Sequence, residues 1–378
     1  MRGALTLTRV WGIDIRVHGS FLLVLALNAW QWSAFGARGA VFGASLSALV
    51  FTCVVLHELG HSLVAKAFGI GVTDITLYPI GGVARLASRP KTPGQELLIA
   101  LAGPAVNVVI ASVLIGIGLW SFGAQAMVES LKQAQHQAPT GLTMWVWLGV
   151  SNVALALFNM LPALPMDGGR VLRAVLAWGL GQQRATRAAA VIGRILAAGL
   201  FALGLVTGNY VLPVIALFVF FGAGAEVRET EFQKMLDGVR SGDAVNSHVP
   251  RLSPSTVLSE AMQAALFWPS RAFAVEHSGR FVGVITREVI LAALREDGGT
   301  RYVAGAMVRD VPRVEKRESL EVARQRMGEG GFVAVFDEDV FLGLITDVEL
   351  AHQLTVLEAF KRATPTSESR TSPSRYRR

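Results

Sequence analysis

The feature that most constrains this chain is a series of long apolar stretches within its first 225 or so residues. A helix needs roughly 20 mostly apolar residues to cross the hydrocarbon core of a bilayer. Six stretches meet this requirement, near residues 17–35, 39–68, 96–122, 143–163, 188–207 and 210–226. The sequence therefore predicts a polytopic α-helical membrane protein with about six transmembrane helices. The last two stretches lie so close together that five crossings stay open as the alternative.

The positions of the basic residues predict how the chain is oriented in the cell membrane. Lys and Arg total 35 against 28 Asp and Glu, and in the first half they lie in short loops between the apolar stretches. Six crossings that start in the cytoplasm leave only Arg38 and Lys132 outside. The basic residues that such a topology places inside are Arg2, Arg9, Arg16, Arg85, Arg89, Lys91, Arg170, Arg173, Arg184 and Arg187. The positive-inside rule therefore predicts a cytoplasmic N-terminus and C-terminal domain, and Arg170, Arg173, Arg184 and Arg187 are interpreted as topology determinants. Nothing in the sequence resembles a DNA-reading helix, so no nucleic acid partner is expected.

The C-terminal third has a different composition and contains an internal repeat. Residues 281–286, FVGVIT, recur as FLGLIT at 341–346, and each copy follows a helical pattern and a strand-like segment. Each copy thus predicts the order helix, strand, strand, helix, in a soluble α/β domain. The predicted organisation is a membrane domain at 1–227, a linker at 228–242, two repeats at 243–298 and 299–360, and a disordered basic tail at 361–378.

The second apolar stretch carries the sequence His57-Glu58-Leu59-Gly60-His61. Positions i and i+4 share one face of a helix, so both imidazoles can reach one metal ion with the glutamate beside them. A catalytic zinc site needs three protein ligands and an open fourth position for water. Cys53 lies one turn before His57 on the same face, which leaves a Cys-His-His site open as an alternative.

Asp167 is the best candidate for the third ligand. Ionisable groups at membrane depth are costly and usually functional. Asp167 follows the fourth stretch, and Pro162 and Pro165 interrupt the helix just before it. The backbone groups that these prolines leave unpaired are tolerated only beside protein or a water-filled cavity. We therefore expect the ends of the second and fourth stretches to meet at a site that opens to cytoplasmic water.

Three motifs together resemble the site-2 protease family of intramembrane metalloproteases, over about residues 10–225. They are HELGH at 57–61, NMLPALPMDGGR at 159–170, which fits the pattern N-x-x-P-x-x-P-x-D-G-G-R, and GPAVN at 103–107. The resemblance implies a zinc endopeptidase that cleaves transmembrane segments of membrane-anchored proteins in regulated intramembrane proteolysis. It also implies that His57, His61 and Asp167 are the zinc ligands and that Glu58 is the general base. Asn107 and Asn159 are implied to lie near the bound substrate backbone. An interhelical hydrogen bond is the alternative role for Asn107.

The same resemblance assigns a role to residues 72–86, VTDITLYPIGGVARL, which are rich in β-formers around a Gly-Gly pair. They are similar to a re-entrant β-hairpin at the membrane surface. A free strand edge at that place could pair with the unwound substrate through main-chain hydrogen bonds.

In the implied mechanism zinc lowers the pKa of a bound water to roughly 7, and Glu58 accepts its proton.

The repeat resembles a tandem pair of cystathionine β-synthase (CBS) domains, which implies a cytoplasmic regulatory module that binds an adenine nucleotide and can form a homodimer. In such pairs an aspartate three residues after the turn threonine contacts the ligand. Val289 and Glu349 occupy that position here, so at most one of the two sites is expected to be competent. Two other functions of the whole chain are the alternatives. A CBS-regulated transporter or channel should show inverted repeats in its membrane half, and none are seen in the sequence. An inactive scaffold would not need the intact Glu58.

Overall fold

The computed structural model divides the chain into two compact units, Met1–Thr230 and Glu231–Arg378. It describes residues 4–79, 81–133, 138–268, 270–297, 300–327 and 330–363. Of the tail predicted to be disordered, residues 361–363 are helical and residues 364–378 lie outside the described part of the chain.

The first unit consists mainly of apolar helices. They are α1 Phe21–Trp32, α2 Gly36–Ala67, α3 Pro93–Gln133, α4 Gly141–Asn159, α5 Asp167–Leu180, α6 Gln182–Thr207 and α7 Val211–Asp237. Within the part of the chain that the structure describes, five stretches are long and apolar enough to cross a membrane: Phe21–Ala67, Pro93–Lys132, Gly141–Asn159, Gln182–Thr207 and Val211–Leu236. Large apolar side chains on them face outward, with Trp120 89% and Val206 86% exposed, which suits a lipid solvent. The prediction of a polytopic α-helical membrane protein is confirmed.

The first of these five stretches contains two of the six predicted segments. A 3₁₀ turn at Ser33–Phe35 separates α1 from α2, and Gly36 follows it with a φ of 71°. The α1 helix then lies antiparallel against α2, with the rings of Phe21 and Phe51 4.6 Å apart. At 12 residues α1 is about 18 Å long, which is shorter than the hydrocarbon core of roughly 30 Å.

The third helix, α3, consists of two pieces that meet at Gly123. The backbone of Gly123 has a φ of 78° and a ψ of 157°, which kinks α3 at this residue. The predicted third segment, 96–122, ends at this kink, and the helix continues to Gln133 in a second piece.

A four-stranded sheet packs against α2. Its strands are β1 Ala4–Val10, β2 Ile13–His18, β3 Val72–Tyr78 and β4 Gly81–Leu86, and they lie in sequence order. The β2 and β3 strands are parallel, and the other neighbouring strands are antiparallel. Because β4 is last in the order, it lies at one edge of the sheet. The predicted hairpin at 72–86 is present. The first two strands were missed by the sequence analysis, although Trp11 and Gly12, with φ of 48° and 81°, form the type of tight turn that joins such strands.

The second unit contains two copies of one α/β arrangement after a short helix, α8 Ser241–Ala244. The first copy has β5 Arg251–Leu252, α9 Leu258–Phe267, β6 Ala272–His277, β7 Arg280–Thr286 and α10 Arg287–Asp297. The second has β8 Arg313–Glu315, α11 Leu320–Arg326, β9 Phe332–Asp337, β10 Val340–Thr346 and α12 Asp347–Ala363. The sheets have the equivalent orders β5-β6-β7 and β10-β9-β8. The predicted order of helix, strand, strand, helix is confirmed in both copies.

Candidate metal centre

The two histidines of the H-E-x-x-H motif lie one turn apart on α2, as the helical period requires. Their Nε2 atoms are 3.0 Å apart and their rings are nearly perpendicular. Both side chains are buried, with 5% of His57 and 6% of His61 exposed. Two buried imidazoles that point their Nε2 atoms at one place are costly unless something polar lies between them.

Asp167 is the first residue of α5 and meets both histidines. Its Oδ2 atom lies 3.1 Å from the Nε2 atom of His57 and 3.1 Å from that of His61. The segment before Asp167 packs so closely against the start of α5 that Gly168 and Gly169 have no room for a side chain. A Cβ on Gly168 would lie 2.3 Å from the carbonyl oxygen of Met160, and one on Gly169 would lie 2.3 Å from the backbone nitrogen of Leu164. The D-G-G sequence therefore lets α5 begin against its own entry loop.

The three side chains fit a zinc ion. Zinc ligands at roughly 2.0–2.2 Å in a tetrahedron lie about 3.3–3.5 Å from one another, close to the 3.0–3.1 Å between these donor atoms. Among the residues that the structure describes, His57, His61 and Asp167 are the one group of three ligand-type side chains so arranged. Cys53 is not in it, because its sulfur accepts a hydrogen bond from Asn152 instead.

The α3 helix supports both histidines from behind. The Nδ1 atom of His61 donates to the carbonyl oxygen of Ile99 at 2.6 Å, and that of His57 donates to Oδ1 of Asn107 at 2.6 Å. Since Nδ1 carries the proton in each ring, Nε2 keeps the lone pair that a metal needs. Between these contacts Gly103 faces the rings, and a Cβ there would lie 2.2 Å from Nε2 of His61.

Glu58 lies on the cavity side of α2, directly under the edge strand β4. A Cβ on Gly82 would lie 2.6 Å from Cγ of Glu58, so the strand passes very close to this side chain. Both residues line a cavity of about 560 Å³ that also contains the two histidines and Asp167. The glutamate, the three ligand-type side chains and an exposed strand edge thus share one space.

The two asparagines predicted to lie near substrate differ in their surroundings. Asn159 is half-buried and lines the cavity. Asn107 also borders it, but it is completely buried and its amide is already engaged by His57 and Asn152. Substrate contact stays a prediction for both, and the interhelical hydrogen bond considered for Asn107 is present.

Arg173 has a role that the sequence analysis did not give it. It was interpreted as a topology determinant, yet it is 5% exposed and donates to Glu96 at 2.7 Å and to Glu226 at 2.5 Å. The signal that could have revealed this role was a carboxylate in each of two apolar stretches, which require a buried cation. These ion pairs join α3, α5 and α7. Because α5 is the helix that begins with Asp167, they also hold that helix against its neighbours.

The second unit contains a separate cavity of about 480 Å³, which is lined by residues of both repeat copies, including the turn threonines Thr286 and Thr346. Thr286, Val289 and Asp310 line it. At the equivalent turn of the second copy, Glu349 accepts hydrogen bonds from the backbone and hydroxyl of Thr346 and from Nδ2 of Asn246. Burial opposes ionisation there, but these hydrogen bonds lower the pKa of Glu349 below its ordinary value.

Helices of membrane length that carry a His-His-Asp trio beside a glutamate define a membrane-embedded metalloprotease. The peptidase family M50 pattern matches residues 45–203. The zinc metalloprotease MJ0392 of Methanocaldococcus jannaschii is 31% identical over 358 residues, which cover 95% of this chain and 98% of that protein. The chain belongs to the peptidase M50, or site-2 protease, family. It is a multi-pass membrane protein and a zinc-dependent endopeptidase that acts on membrane proteins.

Solved structures resemble each of the two units. The site-2 protease from Methanocaldococcus jannaschii is 38% identical and covers 59% of this chain and 95% of its own, with a TM-score of 0.45. A CBS domain-containing protein from Bacillus anthracis is 17% identical and covers 33% of this chain and 98% of its own, with a TM-score of 0.30. The repeated α/β order of the second unit is itself the arrangement expected of a CBS pair.

Proposed function

We propose that His57, His61 and Asp167 hold the zinc ion and that Glu58 is the general base and acid of peptide hydrolysis within the membrane. The observation that carries this assignment is the convergence of two Nε2 atoms and one Oδ2 atom within 3.1 Å, beside Glu58 in one cavity. Zinc at this place would polarise the scissile carbonyl group and make a water molecule more acidic.

The Glu58 carboxylate then accepts a proton from the attacking water as the water oxygen adds to the carbonyl carbon. The carbon–nitrogen bond breaks next, and the Glu58 carboxyl group returns the proton to the departing amine. The peptide bonds of an intact helix are already hydrogen-bonded within the helix and shielded by the surrounding side chains. A transmembrane substrate must therefore unwind before its peptide bond reaches Glu58.

We further propose that the substrate backbone is held between β4 and Asn159. The Gly81–Leu86 strand is the edge of its sheet, and residues 81–84 line the cavity, so the cavity-side main-chain groups of these four residues can pair with an extended peptide. The Asn159 amide can donate to a substrate carbonyl and accept from its N–H group. Main-chain pairing of this kind selects for unwound substrate and tolerates many sequences.

A cleavage assay with zinc analysis tests the catalytic assignment. The purified protein in detergent is mixed with a model transmembrane peptide, and bound zinc is measured in the same preparation. Glu58→Gln should retain zinc and lose at least about 100-fold in cleavage rate, whereas Asp167→Ala should lose zinc. Full zinc content in Asp167→Ala would refute the assignment of the third ligand.

For orientation, we propose that the N-terminus and the second unit are cytoplasmic. Ten basic residues fall in segments that this orientation places inside, against two outside, as the positive-inside rule requires. Reporter fusions at the C-terminus and in the loop that contains residue 138 would test it. An active periplasmic-type reporter at the C-terminus would contradict the proposed orientation.

We propose that the CBS pair regulates the protease by binding an adenine nucleotide in the cavity of about 480 Å³. Val289 cannot accept a hydrogen bond from a ribose hydroxyl, but Asp310 on the same cavity supplies a carboxylate that can. Calorimetry of the full-length protein with AMP and ATP tests this, and Asp310→Ala, which removes the acceptor, should weaken binding. The absence of binding heat with both nucleotides would remove the nucleotide from the proposal.

A homodimer through the CBS pair is the last element of the proposal. Leu266 and Phe267, at the end of α9, are 73% and 85% exposed, and adjacent large apolar side chains of this kind favour protein contact. Light scattering of the detergent-solubilised protein should give the mass of two chains. Phe267→Glu should shift it to one chain, and a parent protein that is already monomeric would rule out the dimer.

A further inference from the structure

We propose that Asn152, in the middle of α4, is a positioning residue for the metal centre, because it fixes the orientation of the Asn107 amide and thereby the tautomer of His57. This inference rests on the proposed role of His57 as a zinc ligand. Asn152 belongs to none of the three motifs that predicted the site, and it lies about two turns before Asn159 on the same helix.

A chain of buried hydrogen bonds links Asn152 to the metal ligand. Nδ1 of His57 donates to Oδ1 of Asn107 at 2.6 Å, and Nδ2 of Asn107 donates to Oδ1 of Asn152 at 2.8 Å. Nδ2 of Asn152 in turn donates to the backbone oxygen of Leu148 at 2.9 Å and to Sγ of Cys53 at 3.3 Å. Both asparagines are completely buried, so water does not compete for these contacts.

The direction of the chain is set at the Leu148 end. A carbonyl oxygen can only accept a hydrogen bond, so the nitrogen of Asn152 must face Leu148 and its oxygen must face Asn107. The nitrogen of Asn107 therefore faces Asn152, and its oxygen faces His57. Because that oxygen can only accept, His57 carries its proton on Nδ1 and keeps the Nε2 lone pair free for the metal.

Without Asn152 nothing in this chain of contacts prevents the Asn107 amide from turning over. A flipped amide would present an N–H group to Nδ1 of His57. The ring would then be stable as the Nε2–H tautomer, which has no lone pair to offer a metal at that atom. His61 needs no such relay, since its Nδ1 atom donates directly to the backbone oxygen of Ile99.

The competing explanation is that Asn152 only joins helices, as buried amides do in membrane proteins. The two explanations differ in what a change to Asn152 alters. A joining role predicts lower stability with an unchanged metal site, whereas a positioning role predicts weaker zinc binding at unchanged fold. Cys53→Ala is a matched control, because it removes another contact of the same Asn152 side chain and leaves the bonds to Asn107 and Leu148 in place.

The test measures zinc affinity by chelator competition, the visible spectrum of the cobalt-substituted protein, and kcat and KM for a model transmembrane peptide. Asn152→Leu should bind zinc about 10–100-fold more weakly, with an altered cobalt spectrum, a lower kcat and an unchanged KM. Asn152→Asp keeps an acceptor facing Asn107, so its zinc affinity should stay within about threefold of the parent. Cys53→Ala should match the parent in every measurement.

Zinc affinity within about threefold of the parent in Asn152→Leu would overturn the inference, as would equal losses in Asn152→Leu and Cys53→Ala. If Asn152→Leu does not fold, Asn152→Asp decides, because a loss of more than about tenfold in that variant contradicts the relay. Parent protein that holds no zinc would refute the proposed function and this inference together. If the parent protein binds zinc, the His57→Ala variant loses it and the Asn152→Leu variant keeps it, this inference alone is refuted.

Discussion

Replacing Gly103 by alanine tests whether the metal centre depends on the close approach of α3 to the two histidines. The added Cβ would lie 2.2 Å from Nε2 of His61 and 2.6 Å from Nε2 of His57. Ordinary contacts between carbon and nitrogen begin near about 3.4 Å, so about 1 Å of movement must be absorbed. The atoms nearest to the added Cβ are the metal-binding nitrogens themselves, and the rings cannot move without leaving the position where they face Asp167.

The backbone of α3 cannot absorb this movement either. Moving α3 away by about 1 Å would lengthen the 2.6 Å contacts that Ile99 and Asn107 make with the same two rings. Zinc sites tolerate displacements of only about 0.2 Å, and loss of outer contacts alone costs about 10–100-fold in affinity. Gly103→Ala should therefore bind zinc more than about 100-fold more weakly and lose cleavage in proportion.

A matched control lies three turns or so along the same helix. Gly116 has no atom within 4 Å of the position of an added Cβ, so Gly116→Ala should leave zinc affinity and cleavage unchanged. Both variants are compared with the parent by chelator competition in detergent. Thermal unfolding in excess chelator checks that the metal-free proteins are equally folded. Zinc affinity within about threefold of the parent in Gly103→Ala would refute the geometry of the site.

Two further predictions concern Glu58 and the buried ion pairs. Gly82→Ala should lower the cleavage rate and leave zinc content unchanged, since its Cβ would lie 2.6 Å from Cγ of Glu58; lost zinc would show that β4 supports the ligands instead. Arg173→Met should lower the free energy of unfolding by about 3 kcal/mol, because it leaves Glu96 buried without its cation and leaves the half-buried Glu226 with only the longer contact to Arg89 at 3.9 Å. Adding glutamine at both carboxylates should recover most of this loss in denaturant unfolding, and a loss below about 1 kcal/mol in the single variant would contradict the reasoning.

The sequence predicted the parts of this protein that follow from a period or from the cost of charge in lipid. The helical period put His57 and His61 on one face, and the cost of a carboxylate at membrane depth singled out Asp167, which is 110 positions from His57 in the chain. These arguments need no knowledge of which helices are neighbours. Patterns that repeat along the chain, such as the two α/β copies, are predictable for the same reason.

Contacts between helices could not be predicted in this way. Asn152 and Cys53 read as ordinary members of apolar stretches until α4 is known to pack beside α2 and α3. Arg173 likewise resembles any loop arginine that orients a membrane protein. The carboxylates of Glu96 and Glu226 in apolar stretches indicate that a cation lies near them, but only the fold shows that this cation is Arg173. The hairpin at the N-terminus was missed because β1 buries too little to give a strong pattern, with Leu5 74% and Leu7 66% exposed, and β2 buries only the short alternation of Ile13 and Ile15.

The arrangement of α3 gives a physical reason for the G-x-x-x-N spacing at 103–107. Ile99, Gly103 and Asn107 are successive members of an i, i+4, i+8 series, so they lie on one face of the helix. Each does one thing for the site: Ile99 accepts from His61, Gly103 leaves space for the rings, and Asn107 accepts from His57.

This face meets the two histidines on α2 in antiparallel order, because the later histidine contacts the earlier residue of α3. Two patterns with a one-turn period, H-E-x-x-H on α2 and G-x-x-x-N on α3, therefore match each other turn for turn. A slip of one residue between the helices would rotate a side chain into the space of Gly103 and remove both acceptors at once. The register of these two helices is thus specified by the metal site itself as well as by apolar packing.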